Sequence, residues 1–474
     1  MKCYQKNLPL LMLSFLAVFS FLTVTLNGAT HADEFAFITT TDYTTGSSSV
    51  IWLDDIHSAD KNVASIGSDA VSRYYRDLIY VVNRYGGDNI QVLDPSAGFA
   101  TVRQYSVGNG SDPHDIAFIS ETKAYVTRYN RTDLWIVNPS TGAHSGTIDL
   151  SPLADGDGIP EMDCMILIGD RLFISIQRLD RDNWWLPAPP SYIAVVDVTA
   201  DTLLDVDPAT PGSQSIVLMG TDPYAGIHFN PWNGLLSVSC VGTWGVADDG
   251  IEVIDPMTCK SEGILLTESE AGGDISDFAI VTPGRGYAII MNSSFHNELI
   301  VFNPQTGEKI GTLYAPGDFV LSDLEISPGK ELFLCDRTAT KPGIRIFDTY
   351  TDTEITTDPI DVGLPPFDIC FSVPIQTGDE TPPAVSLGQN YPNPFNPITT
   401  IPVTISHRAV VNLEIFDVSG RLVKTLFSEE IERGTYHIDW HGRDNAGHPV
   451  SSGFYFVRLQ VGGFVQVRKV VLLR

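Results

Sequence analysis

Aspartate recurs at one place in the repeating pattern of this chain, where short apolar runs begin. The six residues are Asp69, Asp115, Asp163, Asp277, Asp323 and Asp368. In one further run Gly226 holds the equivalent place, with His228 two residues later. Carboxylates gathered in this number raise one another's pKa or recruit a cation, which would make a ligand-binding mouth. Alternatively, each accepts backbone N–H groups in a turn, and the regular recurrence favours this structural interpretation.

Tryptophans cluster in two long segments between apolar runs. Trp184 and Trp185 lie in segment 178–192, and Trp244 lies in segment 242–250. Exposed indole rings offer stacking surfaces for sugars and other ligands. The alternative is that Trp184 and Trp185 fold back and cover the edge of a sheet. The sequence leaves both interpretations open.

An acidic segment carries Asp155, Asp157 and Glu161 around two glycines. Its DGDG spacing resembles the calcium loops of thrombospondin type 3 repeats, in which alternating carboxylates surround one hard cation. The match is partial, because Leu153 stands at the first acidic position and no tandem partner follows. The segment therefore predicts either a Ca²⁺ site or an ordinary acidic turn, and the sequence indicates no other cofactor.

The sequence contains no local catalytic signature. It lacks GxSxG, HExxH, P-loop and Rossmann fingerprints. His114, His228 and His296 are scattered along the chain, and lone histidines in such a pattern are more often structural. An enzyme is still an alternative, since residues from distant repeats can assemble a site without leaving a local motif.

These candidate residues must be positioned by a strand motif that occurs seven times. The motif alternates apolar and variable residues and ends in Asp or Asn, often followed by Pro. Its copies cover 50–54, 90–95, 134–139, 193–197, 251–256, 299–304 and 344–348. Alternation predicts a β-strand, and the closing Asp or Asn predicts a turn, because such side chains cap their own backbone.

Each copy is preceded by another strand-like run and followed by a weaker one, so that one period holds four strands. Four strands in about 45 residues are typical of a β-propeller blade. The predicted fold class is all-β: a seven-bladed β-propeller plus a small C-terminal immunoglobulin-like β-sandwich. The array begins at 35–40 with a second strand and ends at 367–373 with an innermost strand. We therefore predict that these two segments pair and close the ring.

Two early repeats carry the sequences YVVN at 80–83 and YVTR at 125–128, each followed by an Asp/Asn-Pro turn. In these features the repeats resemble YVTN-type propellers. The resemblance covers about 33–373, although the later repeats keep the strand pattern without the Tyr-Val motif. It implies a cell-surface or periplasmic binding domain. Relatives on the same architecture include lactone hydrolases and lyases, so the fold alone does not assign an activity.

A Pro-rich stretch separates the propeller from closely spaced alternating strands that continue to the C-terminus. The most distinctive segments are 389–401, 416–422, 440–447, 453–459 and the RKVVLL of 468–473. In this order they resemble the FlgD-related, immunoglobulin-like sorting domain of type IX secretion cargo. The resemblance implies export across an outer membrane, with residues 387–474 contacting the secretion and sorting machinery. The alternative is a generic accessory sandwich that stays attached.

The N-terminus has the pattern of a secretory signal peptide. Lys2 and Lys6 precede the apolar run 8–26, and cleavage is expected after Ala32. An uncleaved anchor is the alternative, because the run is about long enough to span a bilayer. No later stretch is as long, so we expect no membrane span in the mature chain. The predicted domains are a signal peptide at 1–32, a propeller at 33–373, a linker at 374–386 and a sandwich at 387–474.

The charge of the chain is strongly negative and uneven. The formal net charge of −29 divides into +2 for residues 1–32, −33 for 33–383 and +2 for 384–474. A propeller this acidic repels nucleic acid and anionic surfaces and favours cationic partners, which argues against nucleic-acid binding. Cys240 and Cys259 are the only cysteines that share one repeat, and they form the only plausible disulfide.

Together these features favour a binding module that is secreted or held on the outer-membrane surface of a Gram-negative bacterium. Its unknown ligand is a glycan, a small molecule or a protein, bound at the Asp-lined, Trp-bearing face. The alternative is a propeller hydrolase or lyase that acts on a lactone or carbohydrate, with carboxylates of that mouth as acid and base. A third class is a purely structural component of the cell envelope.

Overall fold

The computed structural model describes residues 34–210, 214–224, 226–230, 233–372, 385–388, 390–405, 409–417, 421–431, 434–461 and 464–473. The predicted signal peptide and most of the predicted linker lie outside these residues. The described chain is almost entirely β-structure, with one short α-helix, α1 (Glu268–Ala271). None of its helices is long and apolar enough to cross a membrane.

The described residues between 35 and 371 form seven antiparallel sheets of four or five strands, here called blades 1 to 7, and one two-stranded hairpin. Blade 1 consists of β1 (Phe35–Thr41), β2 (Gly46–Trp52), β3 (Asp60–Ile66) and the last strand of the propeller, β31 (Pro366–Phe371). Blade 2 consists of β4 (Ala70–Tyr75), β5 (Leu78–Asn83), β6 (Asn89–Asp94) and β7 (Ala100–Ser106). Blade 3 consists of β8 (Pro113–Ser120), β9 (Lys123–Arg128), β10 (Asp133–Asn138) and β11 (Ala143–Asp149).

Blade 4 consists of β12 (Met162–Ile168), β13 (Arg171–Ile176), β16 (Tyr192–Asp197) and β17 (Thr202–Leu203). An additional strand, β18 (Ile216–Val217), pairs with β16. The long loop between β13 and β16 contains a hairpin of β14 (Leu179–Asp180) and β15 (Leu186–Pro187). Blade 5 consists of β19 (His228–Asn230), β20 (Leu235–Cys240), β21 (Gly250–Asp255) and β22 (Lys260–Thr267). Blade 6 consists of β23 (Asp274–Thr282), β24 (Arg285–Met291), β25 (Asn297–Phe302) and β26 (Lys309–Tyr314). Blade 7 consists of β27 (Leu321–Ile326), β28 (Glu331–Asp336), β29 (Gly343–Asp348) and β30 (Thr353–Glu354).

One edge strand of each blade faces the axis of the propeller and is called its inner strand. These strands are β31, β4, β8, β12, β19, β23 and β27, and several of them contact the inner strand of the next blade. The third strand counted from the axis is in every case a predicted copy of the repeated motif, namely β2, β6, β10, β16, β21, β25 and β29. The predicted strand order within the repeat is therefore confirmed.

The closing Asp or Asn of the motif caps a turn in six blades. Each side chain accepts a hydrogen bond of 2.7–2.9 Å from the backbone N–H two residues later; these residues are Asp94, Asn138, Asp197, Asp255, Asn303 and Asp348. This is the turn chemistry predicted from the sequence.

Blade 1 is built from both ends of the propeller segment. β31 pairs antiparallel with β1, with Phe371 opposite Ala36 and Ile369 opposite Ile38. The Phe35 N–H also donates to Ser372 Oγ at 2.7 Å. The predicted pairing of 367–373 with 35–40 is confirmed for the described residues, and it supplies blade 1 with its innermost strand.

The apolar core of the propeller lies between adjacent blades. Between blades 2 and 3, for example, buried Tyr80 and Val92 pack with Ile116 and Val126 in one cluster. Complete burial of each such side chain stabilises the fold by about 1.5–3 kcal/mol. The packing of blade against blade thus holds the inner strands, and whatever site they carry, in fixed positions.

The C-terminal residues form two facing sheets, as the alternating strands predicted. One sheet contains β32 (Val385–Leu387), β33 (Thr399–Ile405) and β36 (Gly434–Trp440). The other contains β34 (Ala409–Asp417), β35 (Leu422–Ile431), β37 (Gly453–Val461) and β38 (Phe464–Leu472). Trp440 is fully buried between them, 5.3 Å from Phe395 and 5.2 Å from Tyr455 by ring centroids. The chain is thus a β-propeller followed by an immunoglobulin-like sandwich.

The one plausible disulfide, between Cys240 and Cys259, does not form, because all five cysteines of the described residues are free thiols. Cys240 ends β20 opposite Gly250, at the beginning of β21. Cys259 lies in the turn after the end of β21, so that the length of this strand separates the two sulfur atoms. Sharing one repeat did not bring them close.

Candidate functional site

Four of the six predicted aspartates occupy one equivalent position on the inner strands. They are Asp115, Asp277, Asp323 and Asp368. In each case the next residue of the chain pairs with the middle of the second strand of the same blade. By the same register Val71, Cys164 and Gly226 hold this position in blades 2, 4 and 5. Asp69 stands two residues earlier and Asp163 one residue earlier, so the predicted equivalence of all six is wrong.

These four carboxylates connect neighbouring inner strands around the axis. Asp115 accepts a hydrogen bond from the Met165 N–H at 2.8 Å, and Asp277 accepts one from the Leu324 N–H at 2.9 Å. The other two make the same contact: Ile369 N–H to Asp323 at 2.8 Å, and Ser72 N–H to Asp368 at 2.9 Å. The recurrence seen in the sequence thus has a structural cause, as the structural interpretation predicted. The donor, however, belongs to the next blade and not to a local turn.

Two charged residues of the axis were not found from the sequence. Arg73 on β4 donates from Nε to Asp115 at 2.9 Å and lies 3.9 Å from Asp368. Glu325 on β27 is the second, placed two residues after Asp323. Each occurs in a single blade, so a search for recurring residues passes over them.

Burial and mutual repulsion shift the pKa values of the axial acids upwards. Burial first, and then repulsion by neighbouring carboxylates, raises the pKa of Asp323 well above its usual range and that of Glu325 to about 8. Burial also raises the pKa of Asp277 to about 7. Burial together with the charge of Arg73 lowers the pKa of His228 to about 4. At neutral pH His228 is therefore neutral and part of the acidic set holds protons.

Asp163 belongs to a polar network at the mouth of the axis. His114 Nδ1 lies 2.7 Å from Asp163 Oδ1, and the His114 ring stacks on Tyr129 at 4.1 Å. The Tyr129 hydroxyl donates to Gln177 Oε1 at 2.5 Å, and Gln177 Nε2 donates to Asp163 at 3.3 Å. Asp69 forms a separate ion pair with Arg84 at 2.5 Å. The two misaligned aspartates thus face polar partners at the mouth.

Exposed aromatic side chains are concentrated on one face of the propeller. We call this face the loop face. It carries two kinds of loop: those that join the second strand of a blade to the third, and those that join the outer strand of a blade to the inner strand of the next. Both kinds lie at the same end of the blades because neighbouring strands are antiparallel. Its exposed rings belong to Tyr43, Tyr85, Trp184, Trp185, Tyr224, Trp244, Phe295 and Phe319. Among the described residues of the opposite face, Tyr350 alone is comparably exposed.

Trp184 and Trp185 do not fold back over the edge of a sheet. Trp184 is 91% exposed at the tip of its loop, and Trp185 is about half exposed. Both have left-handed backbone angles, with φ of 61° and 60°, which bulky residues seldom adopt. The guanidinium of Arg181 lies over the Trp185 ring at 4.7 Å and supports it from below.

Trp244 belongs to an aromatic strip across blades 5 and 6. Its ring meets the ring of Tyr224 edge-on, with 5.2 Å between centroids. A Cβ added at Gly245 would stand 3.4 Å from the Phe295 ring, so Phe295 borders the same loop. The sequence singled out only Trp244, because the other two rings are single residues in loops without a tryptophan.

The three acidic residues of the predicted calcium loop already have protein partners. Asp155 accepts from the Asp157 N–H and Asp157 accepts from the Ile159 N–H, both as turns. Glu161 is fully buried and pairs with Arg181 Nε at 2.7 Å. No group of three or more acidic, histidine or cysteine side chains within the described ranges is arranged to hold a metal. The geometry therefore gives the predicted Ca²⁺ site no support.

Comparison with known families assigns the second domain. Residues 398–462 match the FlgD Ig-like domain family, within the segment that resembled this domain in sequence. No curated protein shows significant similarity to the chain.

Solved structures similar to this chain include several propeller proteins. A putative 6-phosphogluconolactonase from Bacteroides fragilis has 13% identity and a TM-score of 0.51, with 73% of this chain and 99% of that chain covered. The dihydro-heme d1 dehydrogenase NirN has 13% identity and a TM-score of 0.45, with 71% and 75% covered. PorZ, a surface component of the type-IX secretion system of Porphyromonas gingivalis, has 13% identity and a TM-score of 0.24, with 90% and 73% covered. At 13% identity, the similarity to the putative 6-phosphogluconolactonase supports the fold alone. The chain thus has a propeller-like fold, followed by a segment that matches the FlgD Ig-like domain family.

Proposed function

We propose that this chain is an exported, seven-bladed YVTN-type propeller that binds a neutral glycan on its loop face. It acts outside the cell or on the outer-membrane surface of a Gram-negative bacterium. The observation that carries the proposal is the uneven distribution of exposed aromatic rings, with eight on the loop face and one on the described part of the opposite face. Large exposed apolar groups gathered on one face are typical of a binding surface.

The chemistry of this face suits sugars. Asp42 directly precedes Tyr43, Asp318 directly precedes Phe319, and Asp182 lies two residues before Trp184. A sugar ring can place its C–H face on an aromatic ring while its hydroxyls donate to a neighbouring carboxylate. The net charge of −33 over residues 33–383 opposes anionic glycans, so we assign a neutral one.

Replacing Trp184 or Trp244 with alanine is expected to weaken glycan binding by about tenfold each, because each change removes one stacking surface. Trp184 contributes little to the core, so its replacement should leave the fold intact. Binding to a panel of neutral and charged glycans, followed by calorimetry on the best one, measures the effect.

Tyr350→Ala is the matched control, since Tyr350 is 97% exposed on the opposite face. It should bind as the wild type does. The proposal fails if the Trp184 and Trp244 variants match this control, or if the wild type binds only cationic peptides. Conversion of the bound sugar or of a lactone in the same samples would favour the hydrolase or lyase alternative.

The C-terminal sandwich is proposed to direct export through a type IX-like route. The match of 398–462 to the FlgD Ig-like domain family supports this role. Deleting residues 387–474 should leave the propeller inside the cell envelope, because the sorting machinery then has nothing to recognise. Immunodetection in the periplasm, at the surface and in the medium measures the distribution, and unchanged export of the shortened chain contradicts the role.

A further inference from the structure

A cavity of about 510 Å³ lies on the axis of the propeller, away from the aromatic loop face. It extends from the level of Asp115 towards the C-terminal ends of the inner strands, where Tyr74, Pro328 and Phe371 line it. Strands of six blades contribute to its walls. Its volume is that of a typical site for a small organic molecule.

The walls of the cavity combine an apolar surface with few polar groups. Much of the apolar wall comes from Met165, Ile166, Ile227, Ile326 and Phe371. The charged or ionisable groups on the wall, apart from thiols and a phenol, are Arg73, Asp115, His228 and Glu325. A preformed apolar space with a few fixed polar groups is the usual form of a small-ligand site.

Arg73 is not free to bind an anion. Its Nε donates to Asp115 at 2.9 Å, its NH1 group donates to the Ser72 carbonyl at 2.8 Å, and Asp368 lies 3.9 Å away. Two carboxylates thus compensate one guanidinium. His228 adds no positive charge, since burial and Arg73 keep its ring neutral.

The remaining axial acids lack an ion-pair partner among the described residues, although Arg73 lies close enough to Glu325 to lower its pKa in part. Asp277 and Asp323 accept backbone hydrogen bonds, and neither forms an ion pair with any described residue. Glu325, which faces the cavity, likewise forms no ion pair within the described chain. Asp115, the other carboxyl group on the wall, is paired with Arg73, so Glu325 is the carboxyl group of the wall that is open to a ligand.

We propose that this cavity binds a small organic cation, a primary amine with an apolar body, whose ammonium group pairs with the Glu325 carboxylate. The apolar walls surround the body of the ligand, and Arg73 is kept in place by its two carboxylates. This site is independent of the glycan-binding face, because the two lie at different ends of the inner strands.

Binding of the amine should release a proton. Glu325 faces Asp277, Asp368 and Arg73 and lies near Asp323, and in the free protein these surroundings raise its pKa to about 8. An ammonium group beside it favours the carboxylate, so the proton leaves as the cation enters. The affinity for the amine should therefore rise between pH 6 and pH 8, by at most about tenfold for each pH unit.

Calorimetry of the mature full-length protein with three probes tests the proposal: benzylamine, the neutral benzyl alcohol and the anionic phenylacetate. Benzylamine should bind at least about tenfold more tightly than the other two. At pH 7 its binding enthalpy should differ between phosphate and Tris buffers by the amount that one released proton requires.

Glu325→Gln keeps the shape of the side chain and should abolish both the preference for benzylamine and the proton release. Glu121→Gln is the matched control, because Glu121 is an exposed glutamate of the same end of the propeller. The proposal is overturned if benzylamine does not bind at millimolar concentration, if it binds no better than benzyl alcohol, or if Glu325→Gln binds it like the control. None of these outcomes depends on whether glycans bind the loop face.

Discussion

Replacing Asp368 with alanine is expected to lower the free energy of unfolding of the propeller by about 3 kcal/mol. Asp368 lies on β31, the strand that closes blade 1, and its carboxylate accepts hydrogen bonds from Ser72 N–H at 2.9 Å and Ser72 Oγ at 2.7 Å. It is also one of two carboxylates near the guanidinium of Arg73. The change removes these two bonds between blades 1 and 2 and leaves the guanidinium of Arg73, which is about one third exposed, with one ion-pair partner.

Chemical denaturation at pH 7 measures this effect. Asp361→Ala is the control, because Asp361 pairs with Lys61 at 2.8 Å on the surface, where such a pair contributes less than about 1 kcal/mol. Asp368→Asn should fall between the two, since an amide oxygen still accepts from Ser72 but carries no charge. Equal midpoints for Asp368→Ala and Asp361→Ala would show that the carboxylate does not hold the ring closed.

A double-mutant cycle with Ser72→Ala separates the two parts of this effect. If the contact between blades dominates, the losses of the two single variants should not add. Additive losses would instead assign most of the effect to the uncompensated charge of Arg73.

The β-structure of this chain could be predicted from its sequence because local residue patterns encode it. Alternation of apolar residues marks the third strand of every blade, and the Asp or Asn that follows caps a turn in six of them. Ring closure could be predicted for a related reason: the first repeat lacks an inner strand, and an extra inner strand follows the last repeat. Such periodic signals are independent of contacts distant in sequence.

The alignment of the axial aspartates could be predicted only in part, and bulges explain part of the difference. The pairing of the inner strand with the second strand shifts register in β8, β12, β23 and β27, but β4 pairs without a shift. A bulge adds one residue without leaving a mark in the apolar pattern. The missing bulge of β4 accounts for one of the two residues by which Asp69 precedes the shared position. β12 has the same register shift as β8, so the bulge does not account for Asp163, which lies one residue before that position.

Residues that occur once could not be found by a search for repeats. Arg73, Glu325 and Asp222 each belong to a single blade, and only the folded ring brings the first two to one axis. Most exposed rings of the loop face were missed similarly, because Tyr43, Phe295 and Phe319 are lone aromatics in loops. The signal that could have identified these rings is their shared position in loops at the same end of the blades.

Asp222→Asn is expected to stabilise the protein at pH 9 by about 3–5 kcal/mol while changing little at pH 4. Asp222 is 3% exposed, and its Oδ1 has no hydrogen-bond partner among the described residues. Burial, with repulsion from Asp163, Asp249 and Glu161, raises its pKa to about 8. Asparagine has the same shape and tolerates the left-handed backbone of this position, where φ is 49°.

The sign follows from the protons bound in each state. Between about pH 4 and pH 8 the folded protein holds the proton of Asp222 while the unfolded chain has lost it, so the free energy of unfolding falls as the pH rises through this window. The asparagine variant has no proton to lose there, and its stability should depend less on pH. Denaturation at several pH values measures both curves, with Asp182→Asn as the exposed control on the same face. Parallel curves for wild type and Asp222→Asn would mean that Asp222 is ionised in the folded protein, with a partner that stabilises its charge.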